Sequence, residues 1–112
     1  MMKPKIDAVV LKDILGAVYS IEEYTNGIDF ETFVADDMRQ DAVIRRLEII
    51  GEASTRLSAE FIENNRDFPI KESKGMRNFL IHDYDAVSAE VIWKTIKQDL
   101  PILKSEIERI LN

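Results

Sequence analysis

The chemically densest stretch of the chain is Gly75-Met76-Arg77-Asn78-Phe79-Leu80-Ile81-His82-Asp83-Tyr84, and it holds the single histidine. On a helix turning about 100° per residue, Met76, Phe79, Leu80 and Asp83 fall on one side, the first three as core. Arg77, Asn78, Ile81, His82 and Tyr84 fall on the other, within an arc of about 160°. Asn78 and His82 are then i,i+4 neighbours, so the amide can steady the imidazole. Arg77 offers a planar fork of donors that matches a phosphate. His82 titrates near neutrality and can take or give a proton. Together they suit phosphodiester cleavage in RNA. A base removes the ribose 2′-hydroxyl proton, the oxygen attacks the adjacent phosphate, and an acid protonates the leaving oxygen. A guanidinium can stabilise the charge that builds on the phosphoryl oxygens, so no metal is required. One imidazole serves two proton transfers awkwardly. A symmetric dimer that brings two copies of His82 and of Arg77 into one cleft resolves this, and Ile81 between the polar residues fits a dimer seam.

The same residues also have an ordinary surface reading. Arginine followed by four residues and a histidine arises readily by chance. Arg77 fits a solvated ion pair, Asn78 a polar surface position and His82 a helix-terminal histidine. Tyr84 fits a half-buried tyrosine with a wet hydroxyl, Asp83 a helix-end residue, and Trp93 a core or partner-facing residue. Composition narrows the chemistry further. Cysteine is absent, which excludes a disulfide scaffold, a thiol nucleophile and a Cys-ligated metal, and the lone histidine excludes a multi-histidine centre within one chain. No metal or cofactor is expected. The 112 residues are 46% hydrophobic and 32% charged, which predicts one folded domain over residues 1–112. No apolar run approaches the roughly 18 residues that span a bilayer, and Asp7, Lys12 and Asp13 interrupt any signal-type segment, so a cytoplasmic location is expected. The net charge is -6, from 15 basic and 21 acidic residues. Any RNA contact must therefore be local or shared with a partner.

Helices must position the cluster, because the periodicity is helical nearly throughout. Ile6, Val10, Ile14, Ala17, Ile21 and Tyr24 make one stripe, with Val9, Leu11, Leu15 and Val18 beside it. Asn26-Gly27 suits a C-terminal cap and Asp29 an N-cap for a short helix carrying Phe30, Phe33 and Val34. A long helix is predicted from about Asp37 to about Asn64, with Val43, Leu47, Ile50, Ser54, Leu57 and Phe61 inward. Gly51 lies inside it, at a cost of roughly 1 kcal/mol, so close approach of another backbone is expected there. On another face Arg45, Glu48, Glu52 and Arg56 can pair at i,i+4, Glu52 with Arg56. Another helix is predicted from about Ile70 or Gly75 to about Tyr84, then a link over 85–88 with Ser88 as N-cap. The last helix carries Ile92, Ile96, Leu103, Ile107 and Ile110, kinked at Pro101. The expected fold is an all-α, up-and-down bundle of four to five helices.

The run Arg77 to Tyr84 resembles the Arg-X4-His-X-Tyr signature of the HEPN superfamily, and most closely its HepT-like toxin branch. Asp41-Ala42-Val43-Ile44-Arg45-Arg46-Leu47-Glu48-Ile49-Ile50-Gly51-Glu52-Ala53 resembles the long-helix signature of that branch. Val91-Ile92-Trp93-Lys94 through Asp99-Leu100-Pro101 resembles a later segment. Two positions differ: no tryptophan follows Pro69, and Arg46 stands where asparagine is common.

The resemblance implies a helical bundle that forms a symmetric dimer, with the motif helices of two subunits lining one cleft. It implies a metal-independent RNase toxin in a toxin–antitoxin pair, with Arg77 and His82 as the catalytic pair, Asn78 in support and Glu52 as a possible further supporting residue. The cognate partner would be a minimal nucleotidyltransferase antitoxin that transfers AMP from ATP onto Tyr84. An added phosphate beside Arg77 would then occupy the anion clamp. The alternative is a non-catalytic helical module that binds a nucleotide or a nucleotidyltransferase.

Overall fold

The computed structural model describes residues 2–81 and 86–112, with side chains for 6–79 and 89–112. Every regular element among the described residues is helical: α1 (Met2–Thr25), α2 (Phe30–Val34), α3 (Asp37–Ser54), α4 (Ala59–Asn64), α5 (Ile70–Gly75), a 3₁₀ segment (Met76–Ile81), α6 (Ala86–Lys94), a π-helical turn (Thr95–Asp99) and α7 (Leu100–Leu111). The expected all-α bundle is what forms. α3 lies centrally, against α1 on one side and against α5 and the 3₁₀ segment on the other, while α7 packs on α1 and α2 on α6.

The inward stripe of α1 is Val10, Leu11, Ile14, Ala17, Val18 and Ile21, all buried. Ile6, predicted to continue it, is 48% exposed, and the buried residue of that first turn is the polar Asp7. Asp7 is turned inward because its carboxylate accepts from the backbone N–H of Ser58 at 2.9 Å and from the Ser58 hydroxyl at 2.7 Å. α1 then ends at Thr25, and Gly27, at a φ of 75°, lets the chain reverse. Asp29 caps α2 as predicted, accepting from the Thr32 N–H at 2.8 Å.

The long helix predicted to reach Asn64 stops at Ser54. The N–H groups of Thr55, Arg56 and Leu57 bond three residues back, to Glu52, Ala53 and Ser54, so the helix tightens and ends. Ser58 then caps α4, accepting from the Phe61 N–H at 3.0 Å. The apolar stripe survives this break: Val43, Leu47, Ile50, Ser54, Leu57 and Phe61 are all buried. Periodicity continued through the turn and concealed it.

Two further boundaries differ from expectation. α6 begins at Ala86, so Ser88 lies within the helix rather than capping it. The disturbance expected at Pro101 takes the form of the π-helical turn just before it, closed by the Leu100 N–H donating to the Thr95 carbonyl. Proline offers no N–H and crowds the preceding turn, and a widened turn relieves both. No helix of the described residues is long and apolar enough to cross a membrane.

Candidate functional site

Met76 is 2% exposed and anchors the start of the 3₁₀ segment in the core, with Phe79 packed partly against the same interior. The segment is 3₁₀ rather than α, so successive residues are spaced about 120° apart and positions i and i+3 align. Met76 and Phe79 therefore share the inward row. Arg77 and Asn78, both exposed, lie on the two outward rows. An α-helical spacing of 100° also puts these two residues outside, but the arc it implies does not apply to a 3₁₀ segment. His82 and Tyr84 lie outside the described residues, and with them the i,i+4 relation of Asn78 to His82.

The segment is brought onto α3 at Gly51. A methyl group at Gly51 would stand 2.5 Å from the Arg77 backbone nitrogen, 2.7 Å from its Cβ and 3.0 Å from its Cα. Only a glycine admits this approach, which identifies the backbone that the mid-helix glycine was predicted to meet. One helical turn further, the hydroxyl of Ser54 hydrogen-bonds that of Ser73 on α5, both fully buried. Ser54 also donates to the Ile50 carbonyl at 2.7 Å. α5 and the 3₁₀ segment are thus fastened to α3 at two successive turns. Ser73 gave no signal of its own in the sequence, whereas Gly51 did.

Glu52, adjacent to that contact, faces Arg77. The guanidinium Nη1 lies 3.7 Å from Glu52 Oε1, and the side chains are 50% and 57% exposed. Arg56, the i,i+4 partner expected for Glu52, lies beyond the end of α3, so that geometry is lost. A half-exposed ion pair of this length contributes at most about 1 kcal/mol. The guanidinium carries five N–H donors, so an incoming phosphate can bind it in bidentate fashion while the carboxylate stays beside Nη1. Arg77 therefore stands at the surface as a cation with one loose partner among the described residues. The carboxylate of Glu52 is also a negative charge that a phosphate must approach.

Trp93, Arg46 and Arg45 have partners within the fold, whereas the Ile81 side chain and Asp83 lie outside the described residues. Trp93 is half-buried against Phe33 and Phe30, at centroid distances of 5.2 and 6.0 Å, with Lys97 Nζ 4.7 Å over its ring. Arg46, the unusual residue of the long-helix run, donates from Nε to the Tyr24 hydroxyl at 3.4 Å. Arg45 pairs with Glu48 one turn along α3. Among the described residues no group of three His, Asp or Glu side chains is placed to hold a metal ion. A cavity of about 280 Å³ lined by Asp7, Leu11, Glu60, Phe61 and Ile110 does not include Arg77.

A protein-family model described as ribonuclease HepT-like matches residues 14–110 of the chain. A Thermococcus cleftensis protein named as a probable ribonuclease HepT is 46% identical over 100 residues, which span 89% of this chain and 91% of the relative. A Methanocaldococcus jannaschii protein provisionally named an RNase is 43% identical over 98 residues, 88% of this chain and 90% of the relative. A Caldanaerobacter subterraneus protein with the same provisional name is 43% identical over 101 residues, 90% of each. No solved structure matches the chain.

Proposed function

Because the chain belongs to the ribonuclease HepT-like family, we infer that it is an endoribonuclease that cuts RNA without a metal ion, at a cleft built from Arg77, His82 and Asn78 where two copies of the chain meet. The observation that carries this reading is the state of Arg77: an exposed guanidinium on a turn whose backbone meets the central helix, with one long ion pair among the described residues. In the reaction, Arg77 grips the scissile phosphate and stabilises the charge on its non-bridging oxygens. One His82 imidazole takes the 2′-hydroxyl proton, and the 2′-oxygen forms a bond to phosphorus. The bond to the 5′-oxygen breaks, and the His82 imidazolium of the second subunit protonates that oxygen. The products are a 2′,3′-cyclic phosphate and a free 5′-hydroxyl. Asn78 orients the imidazole. Glu52 supports Arg77.

A partner enzyme controls this activity. The phenolic oxygen of Tyr84 attacks the α-phosphorus of ATP in the active site of a minimal nucleotidyltransferase antitoxin, and pyrophosphate leaves. The AMP so attached brings bulk and negative charge beside Arg77, which excludes the RNA backbone. Such a pair acts in the cytoplasm, with the chain as the toxin.

The test is RNA cleavage and growth arrest on expression. Wild type should cut RNA in excess EDTA and leave cyclic phosphate ends. His82→Ala and Arg77→Ala should each lose at least about 100-fold in kcat, the scale at which general acid–base and electrostatic groups act, with circular dichroism unchanged. Undiminished cleavage by folded, nuclease-free His82→Ala overturns the nuclease reading. AMP-modified protein without cleavage or arrest assigns the chain instead to non-catalytic binding of the nucleotidyltransferase.

A further inference from the structure

We propose that Gly51 and Glu52 form a two-part seat for Arg77, Gly51 fixing the backbone of the Arg77 turn and Glu52 the direction of its guanidinium. The two residues are consecutive on α3 and serve different parts of the same arginine. At Gly51 the limit is steric. The atoms a methyl group would meet at 2.5 to 3.0 Å include the Arg77 backbone N and Cα, which cannot rotate aside as a flexible side-chain end would. The Ser54–Ser73 hydrogen bond holds α5, which leads into the turn, to the next turn of α3, so the turn cannot easily shift as a unit. At Glu52 the limit is electrostatic. Its carboxylate, 3.7 Å from Nη1, is the ion-pair partner of the Arg77 guanidinium. An arginine on an exposed turn otherwise samples many rotamers, and the carboxylate narrows them.

The seat has a second consequence, because Glu52 also repels the RNA phosphate that Arg77 is read to bind. Glu52 therefore aims the guanidinium and at the same time weakens its hold on the phosphate. Removing its charge should tighten ground-state RNA binding while leaving the guanidinium less well aimed. A residue that merely supported the fold would not lower kcat and KM together.

This proposal rests on the reading of Arg77 as the phosphate-binding group, and its test separates the two. The first measurement needs no RNA. Modification of Arg77 by phenylglyoxal is followed by peptide mass spectrometry, with Arg109, paired with Glu106 at 2.8 Å, as the internal reference. In Glu52→Gln the Arg77 rate should rise about two- to fivefold relative to Arg109, the range in which half-exposed ion pairs act. In Gly51→Ala it should rise at least as much, because the turn is displaced from Glu52. The second measurement is steady-state RNA cleavage. Glu52→Gln should lower kcat and KM together, each about two- to fivefold, and Gly51→Ala should lower kcat about tenfold or more. If Gly51→Ala does not fold, Glu52→Gln decides, since its site is half exposed. Arg77 reactivity equal to wild type in the folded variants overturns the seat even if wild type cleaves RNA. A reactivity shift in a protein that cleaves no RNA upholds the seat and overturns the nuclease reading.

Discussion

A glycine inside a helix costs roughly 0.5–1 kcal/mol relative to alanine, and this chain carries two such glycines with opposite consequences. Gly51 meets the backbone of Arg77, whereas Gly16 on α1 has nothing within 4 Å of the place a methyl group would take. Gly16→Ala should accordingly raise the thermal midpoint by a few degrees, read by circular dichroism, and leave RNA cleavage at its wild-type rate. At Arg77 itself the geometry of the donors matters beyond the charge. Lysine keeps the positive charge but lacks the planar fork. Arg77→Lys should therefore retain most RNA affinity at low salt yet lose about tenfold or more in kcat. A kcat as high as wild type in kinetic assays would mean that Arg77 contributes charge alone.

The helices are held in register by polar groups at their ends. Gln40, buried on α3, donates to the carbonyls of Phe33 and Val34 at 2.7 and 2.9 Å and so closes the end of α2. Ser58 starts α4 and ties it to Asp7 of α1. Ser58→Ala removes the cap and leaves the buried Asp7 carboxylate with one donor instead of two. It should cost about 2 kcal/mol in urea denaturation. Two other caps are titratable. The Arg39 backbone N–H and then the Arg39 guanidinium hold the Asp36 carboxyl below its usual pKa, and hydrogen bonds from Thr32 do the same for Asp29. A carboxylate with a depressed folded pKa stabilises the fold fully above the unfolded pKa of about 4, and that stabilisation is lost as pH falls through the folded value. Stability should thus fall on acidification below about pH 4. The double variant Asp29→Asn, Asp36→Asn should show a flatter dependence there in thermal melts.

The whole molecule measures 47 × 27 × 20 Å, elongated along its helices, with a buried apolar cluster drawn from nearly every element. α3 sits at the middle of that cluster. Leu47 is 0% exposed, so Leu47→Ala should cost about 3 kcal/mol and lower the thermal midpoint by roughly 10 °C or more. Charge matters at this scale too. With a net charge of -6, the surface as a whole repels RNA, and affinity must come from a few local cations. Exposed ties such as Lys104–Glu22 at 3.0 Å and Tyr19–Glu108 at 2.7 Å use cations and donors within the protein itself. RNA binding should therefore be weak and lose strength with salt. For two phosphate contacts on a single strand, log KM should climb with log salt at a slope near 1.4, measured by cleavage from 50 to 200 mM.

Local rules made much of this protein legible. The stripe from Val43 to Phe61, the Asp29 cap and the outward placement of Arg77 and Asn78 all follow from spacings of three and four residues, which are set by neighbours in the chain. Gly51 even announced a close approach, because nothing within its own helix justified its cost. What the chain order left open were choices made by distant partners. The stripe did not reveal the break after Ser54, since Leu57 and Phe61 stay buried on both sides of the turn, and Asp7 is what ties Ser58 there. Glu52 had a good local partner in Arg56 and took Arg77 instead, because the helix ended before the local pair could form. The path of the Arg77 turn, 3₁₀ rather than α, belongs to the same class. It follows from tertiary packing of that segment on α3, at the one position where the absence of a side chain lets two backbones meet.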